Sequence, residues 1–182
     1  MNNINYNKKH ISVLLEELVD SIEIFENKKN IIVDCTLGMW GHASKMIEKM
    51  NPGDIFIWFD ADIRNLTLAR TRLEEVNKDN KVELLLINSN FVNIKSELAE
   101  RWITQITWVY YDLGLSSLHI DEADRWFSFR EDWPLDMRFD ATSWKPASFI
   151  VNVYRREQLI DIFKNYWEES QAEAVAKVIC DT

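Results

Sequence analysis

Residues 31–42 read I-I-V-D-C-T-L-G-M-W-G-H. The first four are an apolar run closed by an acid, the pattern of a short buried strand. Gly38 and Gly41 stand in the turn that follows, where a missing Cβ lets backbone approach a ligand closely. The turn opens a helix over 43–50, stopped by Pro52 and Gly53. A helix beginning there turns free N–H groups toward whatever occupies the turn.

Outward from this stretch the pattern repeats. Residues 55–59 form a second apolar run, closed by Asp60. Ile63, Leu66, Ala69, Leu73 and Val76 share one helical face. Residues 82–87 predict a third strand, 94–102 a short amphipathic helix, and 107–111 a fourth strand closed by Asp112. Upstream, Val13, Leu14, Leu18 and Ile22 lie at helical spacing. Strands alternating with helices of this length predict a parallel α/β sheet. Ligands of such sheets bind outside the carboxyl ends of the strands. Three of the four predicted strands end in Asp34, Asp60 and Asp112, which points to a shared cleft there.

Beyond Asp112 the pattern changes. Residues 113–145 carry many polar and turn residues and no long periodic element, and 147–154, 158–166 and 170–179 read as helices. The expected division is therefore 1–112, the N-terminal part of an α/β core, and 113–182, a loop leading into a helical subdomain.

Composition narrows the function classes. The hydrophobic share is 47% and the charged share 28%, ordinary for a chain that buries a core. No apolar run approaches the roughly 18 to 20 residues that span a bilayer. The polar, Asn/Lys-rich residues 1–10 lack the apolar centre of a signal peptide, so a cytoplasmic protein is expected. Cys35 and Cys180 are far apart, which argues against a disulfide framework or a zinc site. The formal charge of −9 counts against unaided nucleic-acid binding through phosphates. Glycine is scarce, at 4, and tryptophan abundant, at 8.

The glycine-bearing turn points to a nucleoside-containing cofactor, because Asp60 stands about 20 residues past Gly41, where an acid meets ribose hydroxyls. A tight turn with no ligand is the alternative for this piece taken alone. A nicotinamide cofactor is a rival that the absence of a regular G-x-G-x-x-G disfavours. Asp112-Leu113-Gly114-Leu115-Ser116-Ser117 is then followed by Ala123-Asp124-Arg125-Trp126-Phe127-Ser128-Phe129-Arg130 and by Trp133-Pro134-Leu135-Asp136-Met137-Arg138. These runs resemble the D-L-G-x-S-S, E-R-G-F-S-F and G-P-L-D-M-R motifs of the bacterial small-subunit ribosomal RNA cytosine-N4 methyltransferases, the RsmH or MraW family. The opening His10-x-x-Val13-Leu14-Leu15-x-Glu17, the 34–42 turn and Asn90-Phe91 resemble it too, so the likeness extends over essentially the whole chain.

The resemblance implies a Rossmann-like core, incomplete in these residues, that uses S-adenosylmethionine, with the start of an inserted helical substrate domain after the fourth strand. It implies methylation of a cytidine amine in the decoding region of 16S ribosomal RNA. Carried over by motif position, the cofactor contacts are Trp40, Gly41, His42, Asp60, Phe91, Asp112 and His119. The family has Gln where His119 stands, and both side chains donate hydrogen bonds. Asp60 is expected to accept from ribose hydroxyls and Phe91 to wall the adenine, unless Phe91 is a plain core residue. Asp112 is expected either to accept from the target amine as the catalytic group or to face the cofactor only. The target base must leave its stack to reach the cleft.

Other readings stay open. Arg125, Arg130 and Arg138 hold phosphates or pair with Asp124, Asp132 and Asp136, the structural pair being preferred. Ser116 and Ser117 read as turn residues, since no base marks them as nucleophiles, and His10 as local packing. The family's chain is longer, so an inactive piece that binds at most cofactor or RNA is the main rival. A DNA amino-methyltransferase is disfavoured by the missing Asn-Pro-Pro-Tyr type motif. Trp40, Trp126 and Trp133 stand where the family has glycine. Trp58, Trp108, Trp167 and Trp144 fall at further glycine positions, while Trp102 is left unassigned. The expectation is that most are glycine in the cell, encoded by UGA; the alternative is aromatic residues that stack on RNA bases.

Overall fold

The computed structural model describes residues 12–36, 40–79, 81–114, 134–139 and 145–182. The chain divides into two compact units, residues 1–117 and 118–182.

In the first unit, helix α1 (Leu15–Ser21) precedes strand β1 (Ile31–Asp34), helix α2 (Gly41–Lys49), strand β2 (Ile55–Asp60), helix α3 (Ile63–Val76) and strand β3 (Glu83–Asn88). A 3-10 turn (Phe91–Asn93), helix α4 (Ile94–Glu100) and strand β4 (Trp108–Tyr110) follow. The four strands are parallel, in the order β3-β2-β1-β4. The sheet is flanked by helices, the Rossmann-like α/β arrangement expected from the alternation of apolar runs. Between β3 and β4 the chain crosses to the far side of β1, which leaves the switch point, and the crevice it creates, at the carboxyl end of β1.

Side chains alternate across the sheet. Ile32, Phe56, Trp58 and Tyr110 face one side, where they meet Val19 of α1, Ile22 just after it, Ala43, Met46 and Ile47 of α2, and Ala69 and Leu73 of α3. Val33, Ile55, Ile57, Phe59 and Ile87 face the other, against Leu98 of α4 with Ile94, Ile103 and Ile106. The continuous apolar run of β2 thus reflects burial on both faces. Lys49 donates to the last carbonyls of the α1 region, Val19 at 2.6 Å and Ile22 at 2.7 Å, and so ties α1 to α2.

The amino ends of the strands are fastened by buried polar groups. The Asn30 N–H and amide donate to Asp54 at 2.8 to 3.1 Å. Asn77 donates to the Val82 carbonyl and accepts from its N–H, serving as the strand neighbour that Val82 lacks. β4 is shorter than the predicted 107–111. The Thr107 hydroxyl accepts the Ile31 N–H at 2.9 Å, so a side chain replaces the first ladder bond. α4 ends at Glu100 rather than 102. Ile103 N–H reaches Leu98 O at 2.9 Å and Trp102 N–H reaches Ala99 O at 3.0 Å, the bonds of a Schellman stop.

In the second unit, helices α5 (Ala147–Val153), α6 (Arg156–Trp167) and α7 (Ala172–Asp181) are described. Leu159, Ala172 and Ala176 are buried, and Lys164 pairs with Glu173 at 3.0 Å. The Ala147 and Ser148 N–H groups donate to Asp136 O and Leu135 O, which seats the start of α5 on residues 134–138. No helix among the described residues is long and apolar enough to cross a membrane.

Candidate functional site

The carboxyl ends of β1, β2 and β4 bring Asp34, Asp60 and Asp112 into one electrostatic neighbourhood. Asp34 is buried and lies in register between Trp58 and Tyr110. Its Oδ1 accepts the Thr36 N–H at 3.0 Å and its Oδ2 accepts the Tyr110 hydroxyl at 3.0 Å. Burial pushes the Asp34 carboxyl up to about 7, against these two donors and with help from Asp112 and Asp60. Burial and the adjacent Asp34 push the Tyr110 hydroxyl well above its ordinary value. Burial likewise raises the Cys35 thiol to about 11, despite a contact with the Tyr111 hydroxyl.

Asp60 ends β2. Its Oδ1 accepts the Asp62 N–H at 2.6 Å and its Oδ2 the Asn65 amide at 3.3 Å. Burial again dominates and raises its carboxyl to about 7. The adjoining backbone is fixed as well, because Asp60 O accepts from Asn88 Nδ2 and Ser89 N.

Phe91 follows β3 on the 3-10 turn, whose start is capped by Asn90 Oδ1 accepting the Val92 N–H at 2.9 Å. The ring is 37% exposed, belongs to neither core cluster, and meets Tyr111 edge-on at 5.4 Å. It is therefore a partly open aromatic surface at the carboxyl end rather than a core side chain.

The start of α2 is closely packed: a Cβ on Gly41 would collide with Ser12 Oγ and crowd Ser12 Cβ at 3.2 Å, so a larger residue requires Ser12 to shift. Trp40 precedes it in left-handed backbone at φ 49. His42, in the first turn of α2, is buried. Its Nε2 lies 3.1 Å from Val13 O and its Nδ1 3.5 Å from Asp112 Oδ2. The Asp112 carboxylate is about half exposed, and its backbone N–H donates to Thr36 Oγ1 at 2.6 Å.

Of the residues singled out from the sequence, Trp40, Gly41, His42, Asp60, Phe91 and Asp112 lie at the carboxyl end of the sheet. His119 lies outside the described residues, as do His10, Ser116, Ser117, Arg125, Arg130, Trp126, Trp133 and Trp144. Arg138 donates from Nε and Nη2 to the two oxygens of Asp136, at 2.7 Å each, which is the structural pairing. Sequence reasoning missed Tyr110 and Thr36 as partners in the site. Thr36 had a signal, since it stands in the Asp34 to His42 motif; Tyr110 had none. A shallow hollow at the amino ends of the strands is of another kind: its Lys29 and Glu83 pair with each other at 3.5 Å.

Comparison with known proteins follows the same lines. The family model described as the MraW methylase family matches residues 7–182. The chain is 39% identical over 172 residues to the "Ribosomal RNA small subunit methyltransferase H" of Clostridioides difficile (strain 630), covering 94% of the chain and 53% of that relative. It is 37% identical over 174 residues to the protein of the same name from Mycoplasma mycoides subsp. mycoides SC, covering 96% and 54%. It is 40% identical over 173 residues to that of Mesoplasma florum, covering 94% and 54%. The chain spans about half the length of the curated relatives it matches. A parallel sheet whose acidic strand ends converge on a glycine-bearing turn, and a family model matching nearly every residue, lead to one conclusion: the chain belongs to the MraW methylase family.

Proposed function

We propose that the complete protein transfers a methyl group from S-adenosylmethionine to the exocyclic N4 amine of a cytidine in the decoding region of 16S ribosomal RNA, acting in the cytoplasm on the small subunit. The observation that carries this is the convergence of Asp60, Phe91, Gly41 and Asp112 around the carboxyl ends of β1, β2 and β4. Residues 1–112 are read as the first part of the catalytic core and 113–182 as the loop and start of the substrate domain.

The residues present fit the cofactor. Gly41 lets the start of α2 approach Ser12 closely, at the carboxyl end of β1. Asp60 offers carboxylate oxygens in the place where ribose hydroxyls are accepted, and Phe91 offers an open ring face for a flat base. When bound, S-adenosylmethionine supplies an electrophilic methyl group. Asp60 orients the nucleoside end, Trp40, Gly41 and His42 lie beside it, and His119 is assigned a hydrogen bond to the cofactor by motif position. The cytosine amine is a poor nucleophile because its lone pair is delocalised into the ring. An acceptor at Asp112 Oδ for the amine N–H localises that pair, and alignment supplies the rest through proximity.

The test is transfer of methyl groups to 30S subunits by the full-length protein, with digestion of the rRNA to nucleosides. N4-methylcytidine is the expected product; methylation at another atom, or none, overturns the proposal. A second reading, a piece that binds at most cofactor or RNA, is favoured for the 182 residues taken alone. Trp108 and Val109 of β4 are more than a third exposed, an uncovered apolar stretch on a sheet. Transfer by residues 1–182 alone overturns that second reading.

A further inference from the structure

Asp112 stands past the end of β4, beyond the ladder that fixes Tyr110. Its position therefore depends on other contacts. Thr36 Oγ1 accepts its backbone N–H at 2.6 Å. Thr36 in turn donates its own N–H to Asp34, which accepts the Tyr110 hydroxyl. The chain of bonds runs from Asp112 through Thr36 and Asp34 to Tyr110, two residues before Asp112, and so closes on itself. On the other side is His42. Val13 O can only accept, so His42 Nε2 carries hydrogen there, and in the neutral ring Nδ1, 3.5 Å from Asp112 Oδ2, has none to donate; the backbone bond to Thr36 is what fixes Asp112.

We propose that Thr36 is a positioning residue, whose hydroxyl holds Asp112 in the place required for transfer. This rests on the function read above. Thr36 touches neither cofactor nor RNA in this account; it acts through Asp112 alone. The test is a double-mutant cycle in the full-length protein, followed by 30S methylation and by calorimetry with S-adenosylmethionine, below the melting midpoint of every variant. Thr36→Val is expected to lower kcat/KM about tenfold, the loss of one hydrogen bond, and Thr36→Ser to restore it within about twofold. In an Asp112→Ala background Thr36→Val has no further effect, because contacting residues are non-additive. An equal loss from Thr36→Val with and without Asp112, or no rescue by serine, overturns the inference alone. A wild-type protein with no transfer overturns the parent reading and this inference with it.

A second inference rests on other observations. Trp102 sits at φ 58 in the glycine slot of the Schellman stop after α4, with Leu98 and Ile103 in the accompanying apolar contact, and its side chain is 91% exposed. Trp40 also occupies left-handed backbone, at φ 49, where a bulky residue is an outlier. Trp58 is fully buried with its indole N–H unpartnered among the described residues. The 4 glycines fall well below the usual share of about 7%, and glycine at these three positions moves the count toward it, to 7 residues.

We infer that the native chain carries glycine at Trp40, Trp58 and Trp102, through UGA codons that the source cell reads as glycine. Stacking on RNA explains neither the left-handed backbone nor the missing glycines. At 58, glycine would also open a slot beside Asp34, its neighbour in register. The codons at 40, 58 and 102 are expected to be UGA, and native peptides over these positions to have the mass of glycine. UGG codons, or native peptides carrying tryptophan, overturn the inference. Recombinant Trp102→Gly is expected to melt higher than the Trp102 protein; a lower midpoint counts against glycine at that stop.

Discussion

The Tyr110 hydroxyl donates to Asp34 Oδ2 at 3.0 Å across the register pair that joins β4 to β1. The carboxyl that receives it is raised by burial from 3.8 to about 7. A carboxyl raised on folding stabilises the folded state fully below its unfolded value and loses that contribution as pH rises toward the folded value. Stability from this group therefore falls between about pH 4 and pH 7 and is flat above. The change is on the order of 4 kcal/mol. Asp60 adds a fall of the same sign. Thermal melts from pH 5 to 8 should show a declining midpoint that Asp34→Asn flattens in part. Trp58→Gly should shift the window to lower pH, because the indole is the neighbour in register. An unchanged slope in Asp34→Asn would remove Asp34 as the source.

Asp60→Ala should weaken S-adenosylmethionine binding by about 1.5 to 3 kcal/mol, the loss of a charge-assisted hydrogen bond. Calorimetry on the full-length protein reads this directly. Equal affinities would place the ribose elsewhere.

Gly41→Ala should destabilise the protein by about 1 to 3 kcal/mol through overpacking. The added Cβ meets Ser12 Oγ, which must rotate away, and then presses on Ser12 Cβ at 3.2 Å, so the residue before α1 has to give. Ser12→Gly in the same chain should recover most of the loss. A Gly41→Ala midpoint equal to that of the parent would show that the segment yields freely.

Arg138→Ala should lower stability by about 1 kcal/mol through loss of its pair with Asp136. It should leave the salt dependence of 30S binding unchanged, because its guanidinium is already engaged. A salt slope reduced by about one unit would instead mark Arg138 as a phosphate contact.

The sheet was legible because each strand is an apolar run, three of the four followed by an acid, and α3 because its apolar residues recur on one face. Element ends were less so. α4 stops before Trp102 because backbone bonds at Ile103 and Trp102 close it, and a tryptophan there gives no hint of a stop. β4 loses residue 107 because the Thr107 hydroxyl takes over a ladder bond. The three acids were readable as strand ends. Their partners were not, since Tyr110 reaches Asp34, and Thr36 reaches Asp112, only once β4 lies beside β1. These contacts span 76 positions of sequence and leave no periodic trace.

The sheet order gives the site a history as well as a shape. β1, β2 and β3 pair with their sequence neighbours, so they can assemble while β4 is still unplaced. Until β4 arrives, one flank of Asp34 has no strand beside it. Docking of β4 closes that flank, delivers the Tyr110 hydroxyl and hooks the Asp112 backbone onto Thr36 in a single event. Burial holds the Asp34 carboxyl up to about 7 in the finished sheet, while the Tyr110 hydroxyl that β4 delivers pulls it the other way, so the strand that completes the sheet also tempers the cost of burying this acid.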